Sequence, residues 1–390
     1  MVVTSAVDGL RILAFCDYFS SNPAGGSERA ALELYGRLAT QGATVQVITA
    51  LLSPGQTVPR LPGVAVEVMP SIDLARSLGV QAGLSPVLFA RLRWLAASFQ
   101  PDVLHGHTLF FQGALAAAVL QRATGLPLLT TVQIAGLENL RQPMRALGRA
   151  YEQTAGRFII GRSRQLIAVS PSVRAHLLTL GADPVRTHVI PNGVDLDRFG
   201  KVKRAAPEGP PLVAFVGRLI ENKGPATLID ALLELRRQQV PFRARFYGEG
   251  PMREELVARS RPAAGSIEFA GQVADLAKRL AEADILVRPS LTEGLPLAIL
   301  EAMASRVCVI ATDIPGNRDL VQDAVNGLLV PIRDPQRLAA AIRSLIENPG
   351  RRAALAAAGY ETAQKYSWDG IVDATAHLLG GLRRAEGAAA

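Results

Sequence analysis

The sequence has few of the residues that build disulfide frameworks or metal centres. Its 390 residues include two cysteines, Cys16 and Cys308, and five histidines. Each cysteine lies within an apolar run, and only His105 and His107 stand close together, without an evident third ligand. We therefore expect two buried thiols in a reducing compartment and no metal site.

Long apolar runs and a basic leader are also missing. No uninterrupted apolar run approaches the roughly 20 residues that a helix needs to cross a bilayer. No basic region precedes the first apolar run, as it would in a signal peptide. These absences predict a cytoplasmic protein that could still rest on a membrane surface.

The composition is that of a globular protein with room for two cores. Hydrophobic residues make up 49% of the chain and charged residues 19%, over a length that suggests two domains. The formal net charge of +8 could favour anionic partners such as nucleotide phosphates or acidic lipid, and by itself establishes none of them.

Strand-like and helix-like segments alternate through both halves of the chain. This alternation predicts an α/β fold with parallel, doubly wound sheets. We place the domain boundary near residue 191. In such sheets the carboxyl ends of the strands face the binding crevice. Gly25, His107 and Gln133 follow predicted strands in the first half, and Arg218 follows one in the second.

A short acidic stretch from Glu293 to Glu301 links a buried strand to an apolar helix. Pro296 suits the first helical position, where a missing N–H costs nothing. The N–H groups of the first turn could bind a phosphate, while the two carboxylates accept hydrogen bonds from sugar hydroxyls. Phosphate and sugar together suggest a nucleotide-sugar. The alternative is two solvated glutamates beside an ordinary helix start.

Gly25 and Gly26 separate the first strand from the first helix. Glycines at this point let a backbone approach a phosphate closely. The spacing is not that of the dinucleotide fingerprint, so a plain strand–helix turn is an equal alternative.

A basic segment from residue 137 to residue 164 carries six arginines against two glutamates. Arg141, Arg145 and Arg149 recur every four residues, on one stripe of a predicted helix with leucine and methionine beside it. Such a segment can lie on anionic lipid, or it can be a solvated helix face. Nucleic-acid binding is disfavoured because aromatic residues are sparse here and no recognition motif is present.

Taken together, the motifs resemble those of glycosyltransferase family 4, whose members are retaining sugar transferases with the GT-B fold. The matches occur in order along most of the chain, at Gly25–Arg29, Asp102–His107, Pro191–Asp195, Val216–Gly224, Gly248–Pro251, Phe269–Val273, the pair Glu293 and Glu301, and Asn326–Val330.

The resemblance implies two Rossmann-like domains that face each other across a cleft. Residues 1–190, completed by a C-terminal helix of about 368–390, would shape the acceptor site. Residues 191–367 would hold a nucleoside-diphosphate sugar. The implied reaction transfers that sugar, with retention, to a glycan or lipid-linked acceptor, and it needs no metal or other cofactor.

The resemblance also implies roles for individual residues. Arg218 and Lys223 would bind the diphosphate, Glu301 the ribose and Glu293 the hydroxyls of the donor sugar. Gly26 would approach the distal phosphate, and the backbone near Val273 would pack against the base. The implied donor-binding set is Gly25, Gly26, Arg218, Lys223, Gly248, Val273, Glu293, Gly294, Leu295, Leu297 and Glu301. The implied catalytic set is Glu293, Arg218, Lys223 and Gln133, with His107 and Gln133 on the acceptor side.

Gln133 departs from the family pattern, in which a histidine is common at this position. An amide can hydrogen-bond a sugar hydroxyl, but it does not titrate near neutral pH. The departure leaves open a second interpretation, a nucleotide-sugar-binding partner of a glycosyltransferase that has lost catalysis. A third, a sugar-nucleotide epimerase, is disfavoured by the spacing of the two glutamates.

Overall fold

The computed structural model describes residues 5–21, 25–50, 57–73, 83–134, 139, 142–204 and 209–387. The chain divides into two compact units. Unit 1 comprises residues 1–191 and 369–390, and unit 2 comprises residues 192–368.

Unit 1 contains, within its described residues, a parallel sheet of seven strands in the order β3-β2-β1-β6-β7-β8-β9, and a separate antiparallel pair, β4 and β5. The strands are β1 (Arg11–Tyr18), β2 (Thr44–Ala50), β3 (Val64–Val68), β4 (Ile72–Asp73), β5 (Gly83–Leu84), β6 (Val103–His107), β7 (Leu128–Val132), β8 (Gln165–Ala168) and β9 (Thr187–Val189). β6 and β7 are buried along their whole length, as is expected of central strands covered on both faces.

Parallel pairing requires crossover connections, and several of the crossovers in this unit contain helices. These helices are α1 (Gly26–Thr40), α2 (Pro86–Phe99), α3 (Gln112–Thr124), α4 (Met144–Tyr151), α5 (Arg157–Arg162) and α6 (Pro171–Thr179), with a π-helical turn at Glu152–Gly156 between α4 and α5. Local sequence sets several starts: Pro86 and Pro171 occupy first helical positions, and the Ser170 hydroxyl accepts a hydrogen bond from Val173 N.

Unit 2 contains, in the part of the chain that is described, a parallel sheet of six strands in the order β12-β11-β10-β13-β14-β15. These strands are β10 (Leu212–Val216), β11 (Arg243–Tyr247), β12 (Ile267–Gly271), β13 (Ile285–Arg288), β14 (Cys308–Thr312) and β15 (Leu328–Val330). Phe215 and Phe246 stack in the core of this unit, with ring centroids 5.3 Å apart.

The helices of unit 2 pack on its sheet. They are α7 (Leu196–Gly200), α8 (Pro225–Arg237), α9 (Arg253–Ser260), α10 (Leu276–Glu282), α11 (Leu297–Ala304), α12 (Pro315–Arg318), α13 (Pro335–Glu347) and α14 (Pro349–Gln364), with 3-10 turns at Glu221–Lys223 and Arg261–Ala263. Aspartates begin three of them by accepting a hydrogen bond from a first-turn N–H: Asp195, Asp275 and Asp334.

The last helix, α15 (Trp368–Gly387), belongs to unit 1 from Asp369 onward. Gly380 packs directly on the chain near the start of unit 1, where a Cβ would lie 2.2 Å from Ala6 O. The start of α15 is packed in unit 2, where a Cβ on Gly193 would lie 2.5 Å from the Trp368 ring.

Both sheets have the same strand order. In each sheet the first strand pairs with the second strand of that sheet on one side and with its fourth strand on the other. This is the 3-2-1-4-5-6 order of doubly wound sheets, and it creates a switch point between the first and fourth strands. The expected α/β class with two doubly wound sheets is confirmed.

Candidate active site

The switch point of unit 2 lies between β10 and β13, which are paired although β11 and β12 separate them in sequence. Arg218 follows the end of β10, and Glu293 lies in the loop that follows β13. Open α/β sheets bind ligands outside the carboxyl ends of their strands at such a point. The sequence-predicted residues of this unit therefore lie at the edge where a ligand is expected.

The loops after β10 and β13 are fixed against each other. Leu291 N donates to Asn222 O at 2.8 Å. Gly224 has φ of +66°, and a Cβ there would lie 1.9 Å from Pro289 O. Only glycine accommodates both this backbone angle and this close approach. The turn that carries Lys223 is thus packed against the loop that carries Glu293.

Three charged side chains form a buried cluster at this junction. Lys223 Nζ lies 3.0 Å from each carboxylate oxygen of Glu293. Arg288, the last residue of β13, contacts the same carboxylate from Nε at 2.9 Å and from Nη2 at 2.6 Å. Arg288 Nη1 also donates to Val216 O at 2.5 Å, at the end of β10. The cluster links both sides of the switch point.

The electrostatics of the cluster follow from its burial and its two cations. Burial alone would raise the pKa of Glu293, but Arg288 and then Lys223 lower that pKa to about 2. Burial lowers the pKa of Lys223 to about 8, with Arg288 and Arg218 repelling its charge and Glu293 attracting it. Glu293 is therefore ionised at neutral pH, and Lys223 is mostly protonated at that pH.

Arg218 is close enough to Lys223 for its charge to act on the pKa of that lysine. The structure therefore brings Arg218, Lys223 and Glu293 together, as the sequence predicts. It adds Arg288, which sequence reasoning missed because it treated residues 284–290 as an apolar run. An arginine inside a buried strand is the signal that could have revealed it, since arginine is rarely buried without a partner.

Gly248 directly follows β11, at the same edge of the sheet. Its φ is +142°, and a Cβ there would lie 2.0 Å from Gly217 O. Gly248 N donates to Gly271 O at 2.8 Å. Val273 lies two residues beyond the end of β12, partly exposed.

The stretch after Glu293 is buried, including Gly294, Leu295 and Leu297. α11 begins at Leu297, so Pro296 stands immediately before the helix in an extended conformation, not at its first position as predicted. Proline lacks the N–H that a cap position does not need, so the chain can enter the helix there. Glu301 lies about one turn into α11 and is 5% exposed.

In unit 1 the corresponding switch point lies between β1 and β6. His107 ends β6, and Gln133 follows β7. His107 Nε2 lies 3.2 Å from Ser27 O and 3.3 Å from Gln133 Nε2. Because His107 donates to the carbonyl of Ser27, the Gln133 amide fits best with its oxygen turned toward the imidazole. The two predicted acceptor-side residues are thus in contact, next to Gly25 and Gly26 at the start of α1.

The His107 imidazole is neutral in this setting. Burial lowers its pKa to about 4, although the hydrogen bond to Ser27 O opposes that shift. His105, two residues earlier, is held in the core between Tyr35 Oη and Thr131 Oγ1, each at 2.9 Å. Burial lowers the pKa of His105 to about 3.

Asp17, near the end of β1, is a further buried group at this edge, and sequence reasoning missed it. Its carboxylate accepts from Gly113 N at 3.0 Å and from Thr108 Oγ1 at 3.3 Å. Burial raises the pKa of Asp17 to about 7, against these hydrogen bonds. An acidic residue at the end of an apolar strand is the sequence signal that points to it.

The loop between β6 and α3 is strained. Thr108 and Phe111 have φ of 93° and 72°, a region that side chains rarely adopt. Tyr151 Oη donates to Phe111 O at 2.5 Å, and Asp17 holds the other end of the loop through Thr108. Strain of this kind collects at functional sites.

The predicted arginine stripe is shorter than expected. α4 begins at Met144, directly after Pro143, because proline fits a helix start but not its interior. The described helix carries Arg145 and Arg149, and Arg141 lies outside the described residues. Leu147 on the same helix is 53% exposed.

Within the part of the chain that is described, no group of three or more His, Cys, Asp or Glu side chains is arranged to hold a metal ion. Among the described helices, none combines the length and the apolar character needed to span a bilayer.

Two family models match consecutive parts of the chain. The model of glycosyl transferases group 1 matches residues 198–362. The model of glycosyltransferase family 4 matches residues 24–198. The matches together run through both units.

Two named relatives are similar to this chain over nearly its full length. The chain is 30% identical over 390 residues to a D-inositol 3-phosphate glycosyltransferase of Geodermatophilus obscurus, covering 92% of this chain and 85% of the relative. It is also 30% identical over 368 residues to a phosphatidyl-myo-inositol mannosyltransferase of Mycolicibacterium smegmatis, covering 92% and 90%.

Solved structures of the same architecture are similar at lower sequence identity. HepE of Anabaena, solved with UDP and glucose, has a TM-score of 0.73 at 20% identity, covering 95% of this chain and 98% of that one. A sucrose-phosphate synthase of Thermosynechococcus elongatus has a TM-score of 0.76 at 23% identity, covering 98% and 100%. These likenesses identify the architecture as GT-B.

Proposed function

The chain belongs to glycosyltransferase family 4, and from that premise we propose that it moves a sugar from a nucleoside-diphosphate sugar to a glycan or lipid-linked acceptor, with retention of configuration. The observation that carries the proposal is the cationic cluster at the switch point of unit 2. There Lys223 and Arg288 both contact the Glu293 carboxylate, and Arg218 lies close enough for its charge to lower the pKa of Lys223.

Clustered cationic side chains suit a diphosphate leaving group. When the bond between sugar and diphosphate breaks, negative charge grows on the phosphate oxygens. Fixed cations in a buried site stabilise that charge more than water does. In this proposal Arg218 and Lys223 bind the diphosphate and supply the stabilisation, so no metal ion is required.

The carboxylates would hold the two sugars of the donor. We assign Glu293 to the hydroxyls of the transferred sugar and Glu301, on α11, to the ribose. Gly294, Leu295 and Leu297 would line the donor at the start of α11, Gly248 would bring the backbone close to it, and Val273 would flank the base. For retention, the leaving phosphate takes the proton of the acceptor hydroxyl.

The first test is a binding panel. UDP-, GDP- and ADP-sugars are added to the wild-type chain, and the unfolding temperature is measured with each. A ligand that binds the native state raises that temperature, by an amount set by its concentration relative to its Kd. We expect one nucleotide to stand out, and turnover of its sugar to persist in excess EDTA. The absence of any shift with all three would contradict the proposal.

Gln133 decides between an active enzyme and a binding partner that has lost catalysis. Its contact with His107 supports a positioning role, because an amide can orient a hydroxyl without changing its charge. We expect the wild-type chain to turn over, and Gln133→His to change kcat by less than about tenfold. A chain that binds donor without turnover and gains transfer in Gln133→His would favour the inactive partner.

A lipid-linked acceptor would bring the chain to a membrane surface. Arg145 and Arg149 on α4, beside the exposed Leu147, support such a contact, and Arg141 would extend it. We expect binding to vesicles of anionic lipid at low salt that weakens as salt is added. Arg145→Gln with Arg149→Gln should weaken it, and Arg236→Gln with Arg237→Gln on α8 is the control. Equal binding by both variants would remove this part of the proposal.

A further inference from the structure

Arg288 is a buried charge that no role assigned so far requires. Its side chain is 7% exposed, in a strand whose other residues are apolar and buried. An arginine at such a position is costly unless its donors are satisfied. Its donors are directed to two acceptors, the Glu293 carboxylate and the carbonyl of Val216.

The surrounding chain leaves room for this arrangement. Gly217 has φ of +152°, and a Cβ there would lie 2.3 Å from Arg288 Nη1. The guanidinium therefore runs beneath the backbone that leads from β10 to Arg218. Any side chain at position 217 would displace it.

Stability alone is a weak explanation for the cluster. Buried ion pairs are often no better for folding than apolar side chains of similar volume. The cluster also holds two cations for one carboxylate, which is more than neutralisation requires. A bound anionic ligand would pair with the second cation.

We propose that Arg288 is a positioning residue of the donor site: it retains the Glu293 carboxylate so that Lys223 can leave it and bind the incoming diphosphate. This inference rests on the proposed function, since it takes the incoming anion to be the diphosphate of the nucleotide. Without Arg288, Lys223 would be the cation left in contact with Glu293 among the described side chains. The carboxylate and the diphosphate would then compete for it.

The ionisation of the cluster agrees with this exchange. With both cations present, the pKa of Glu293 is lowered to about 2, and Arg288, which lowers that pKa more than Lys223 does, stays with Glu293 in the proposed exchange. The pKa of Lys223, lowered by burial to about 8, would rise again beside a diphosphate.

The test is a double-mutant cycle on diphosphate binding. The probe is uridine, guanosine or adenosine diphosphate, whichever the wild-type chain binds most tightly, and its Kd is measured by titration calorimetry. Arg288→Gln should weaken binding by about tenfold or more, because Lys223 stays with Glu293. Glu293→Gln removes the competitor, so Arg288→Gln combined with Glu293→Gln should bind within about threefold of Glu293→Gln alone.

A matched control is Arg245→Gln on the neighbouring strand β11. Arg245 forms ion pairs with Glu268 and Glu282 at 2.7 and 2.6 Å, away from the switch point. We expect no change in diphosphate affinity from its loss. Arg288→Lys should recover part of the affinity, because it restores the charge without the two-pronged geometry.

The outcomes separate this inference from the proposed function. If the wild-type chain binds none of the three diphosphates or their sugars, the proposed function fails and the inference fails with it. If the wild-type chain binds and Arg288→Gln binds equally well, only the inference fails. If the double variant remains as weak as Arg288→Gln, Arg288 contacts the diphosphate itself or maintains the fold, and the positioning role is wrong.

Discussion

The two units of this chain share a strand order but place different chemistry at its switch point. In unit 2 the point between β10 and β13 holds Lys223 and Arg288 around one ionised carboxylate. In unit 1 the point between β1 and β6 holds His107, whose pKa is lowered to about 4, and Asp17, whose pKa is raised to about 7. The edge in unit 2 is therefore cationic, whereas the edge in unit 1 holds a neutral imidazole and a carboxyl group that is only partly ionised at neutral pH.

Under the proposed function, the difference lets one architecture serve two binding tasks. The sheet order fixes where a ligand can bind, and the side chains at that place decide which ligand it is. Charged phosphates need fixed cations, whereas an acceptor hydroxyl needs hydrogen-bonding groups that do not repel it. We therefore expect changes in unit 2 to affect donor binding and changes in unit 1 to affect stability and acceptor use.

The largest effect should come from removing the cation that we assign to the diphosphate. Lys223→Met leaves Glu293 paired with Arg288, so the fold is retained. The loss of one fixed charge at the leaving group should lower kcat/KM by about 10²–10³. Steady-state kinetics with the preferred donor measure it, and Lys278→Met, at an exposed position of α10, is the control. A fall of less than threefold would mean that the two switch points do not differ in the way described.

Gly224 and Gly9 allow a matched comparison of backbone strain between the units. Both have φ of +66°, but a Cβ on Gly224 would meet Pro289 O, whereas nothing lies within 4 Å of one on Gly9. Gly9→Ala should cost about 1–2 kcal/mol for the left-handed backbone alone. Gly224→Ala should cost about 1–3 kcal/mol more from the overlap. Thermal unfolding of both variants checks this, and equal losses would show that the two loops of unit 2 are not in close contact.

Asp17 and Glu293 should give the two units opposite responses to pH. The folded pKa of Asp17, about 7, lies above its ordinary 3.8, so its contribution to stability is lost as pH rises from about 4 to about 7. The folded pKa of Glu293, about 2, lies below its ordinary 4.5, so its contribution is lost as pH falls from about 4.5 to about 2.

The measurement is chemical unfolding at several pH values between 4 and 8. Asp17→Asn should remove a decline in the free energy of unfolding that we expect to be on the order of 1–3 kcal/mol across this window. A variant that declines as steeply as the wild-type chain would show that Asp17 does not hold its proton in the folded state.

The smallest effect should come from the strained loop of unit 1. Tyr151→Phe removes the hydrogen bond from Tyr151 Oη to Phe111 O while keeping the ring. The loss should be about 1 kcal/mol, seen as a fall of a few degrees in unfolding temperature. Tyr360→Phe in unit 2 is the control, because the ring of Tyr360 contacts Arg306, at 3.7 Å from its centroid. Equal shifts in both variants would show that the hydrogen bond to Phe111 O does not stabilise the loop.

Sequence reasoning predicted the fold class and the meeting of Arg218, Lys223 and Glu293, because motif residues that follow strand ends converge at one edge of a parallel sheet. It missed Arg288, which it treated as part of an apolar strand, and Asp17, which it placed at the start of the loop after the first strand. Their roles depend on which strands are neighbours, and sequence order does not give that. It also began the basic helix too early, because a recurrence of arginine every four residues was given more weight than Pro143.

The packing of Gly193 on the Trp368 ring has a consequence for the design of variants. Val194 N donates to Tyr366 O at 2.7 Å, so the chain enters and leaves unit 2 at adjacent points. A segment with neighbouring ends can be cut out or exchanged as a single cassette without rethreading the rest of the polypeptide. Under the proposed function, the ends of residues 192–368 are therefore natural junctions for exchanging the nucleotide preference of this chain for that of another transferase.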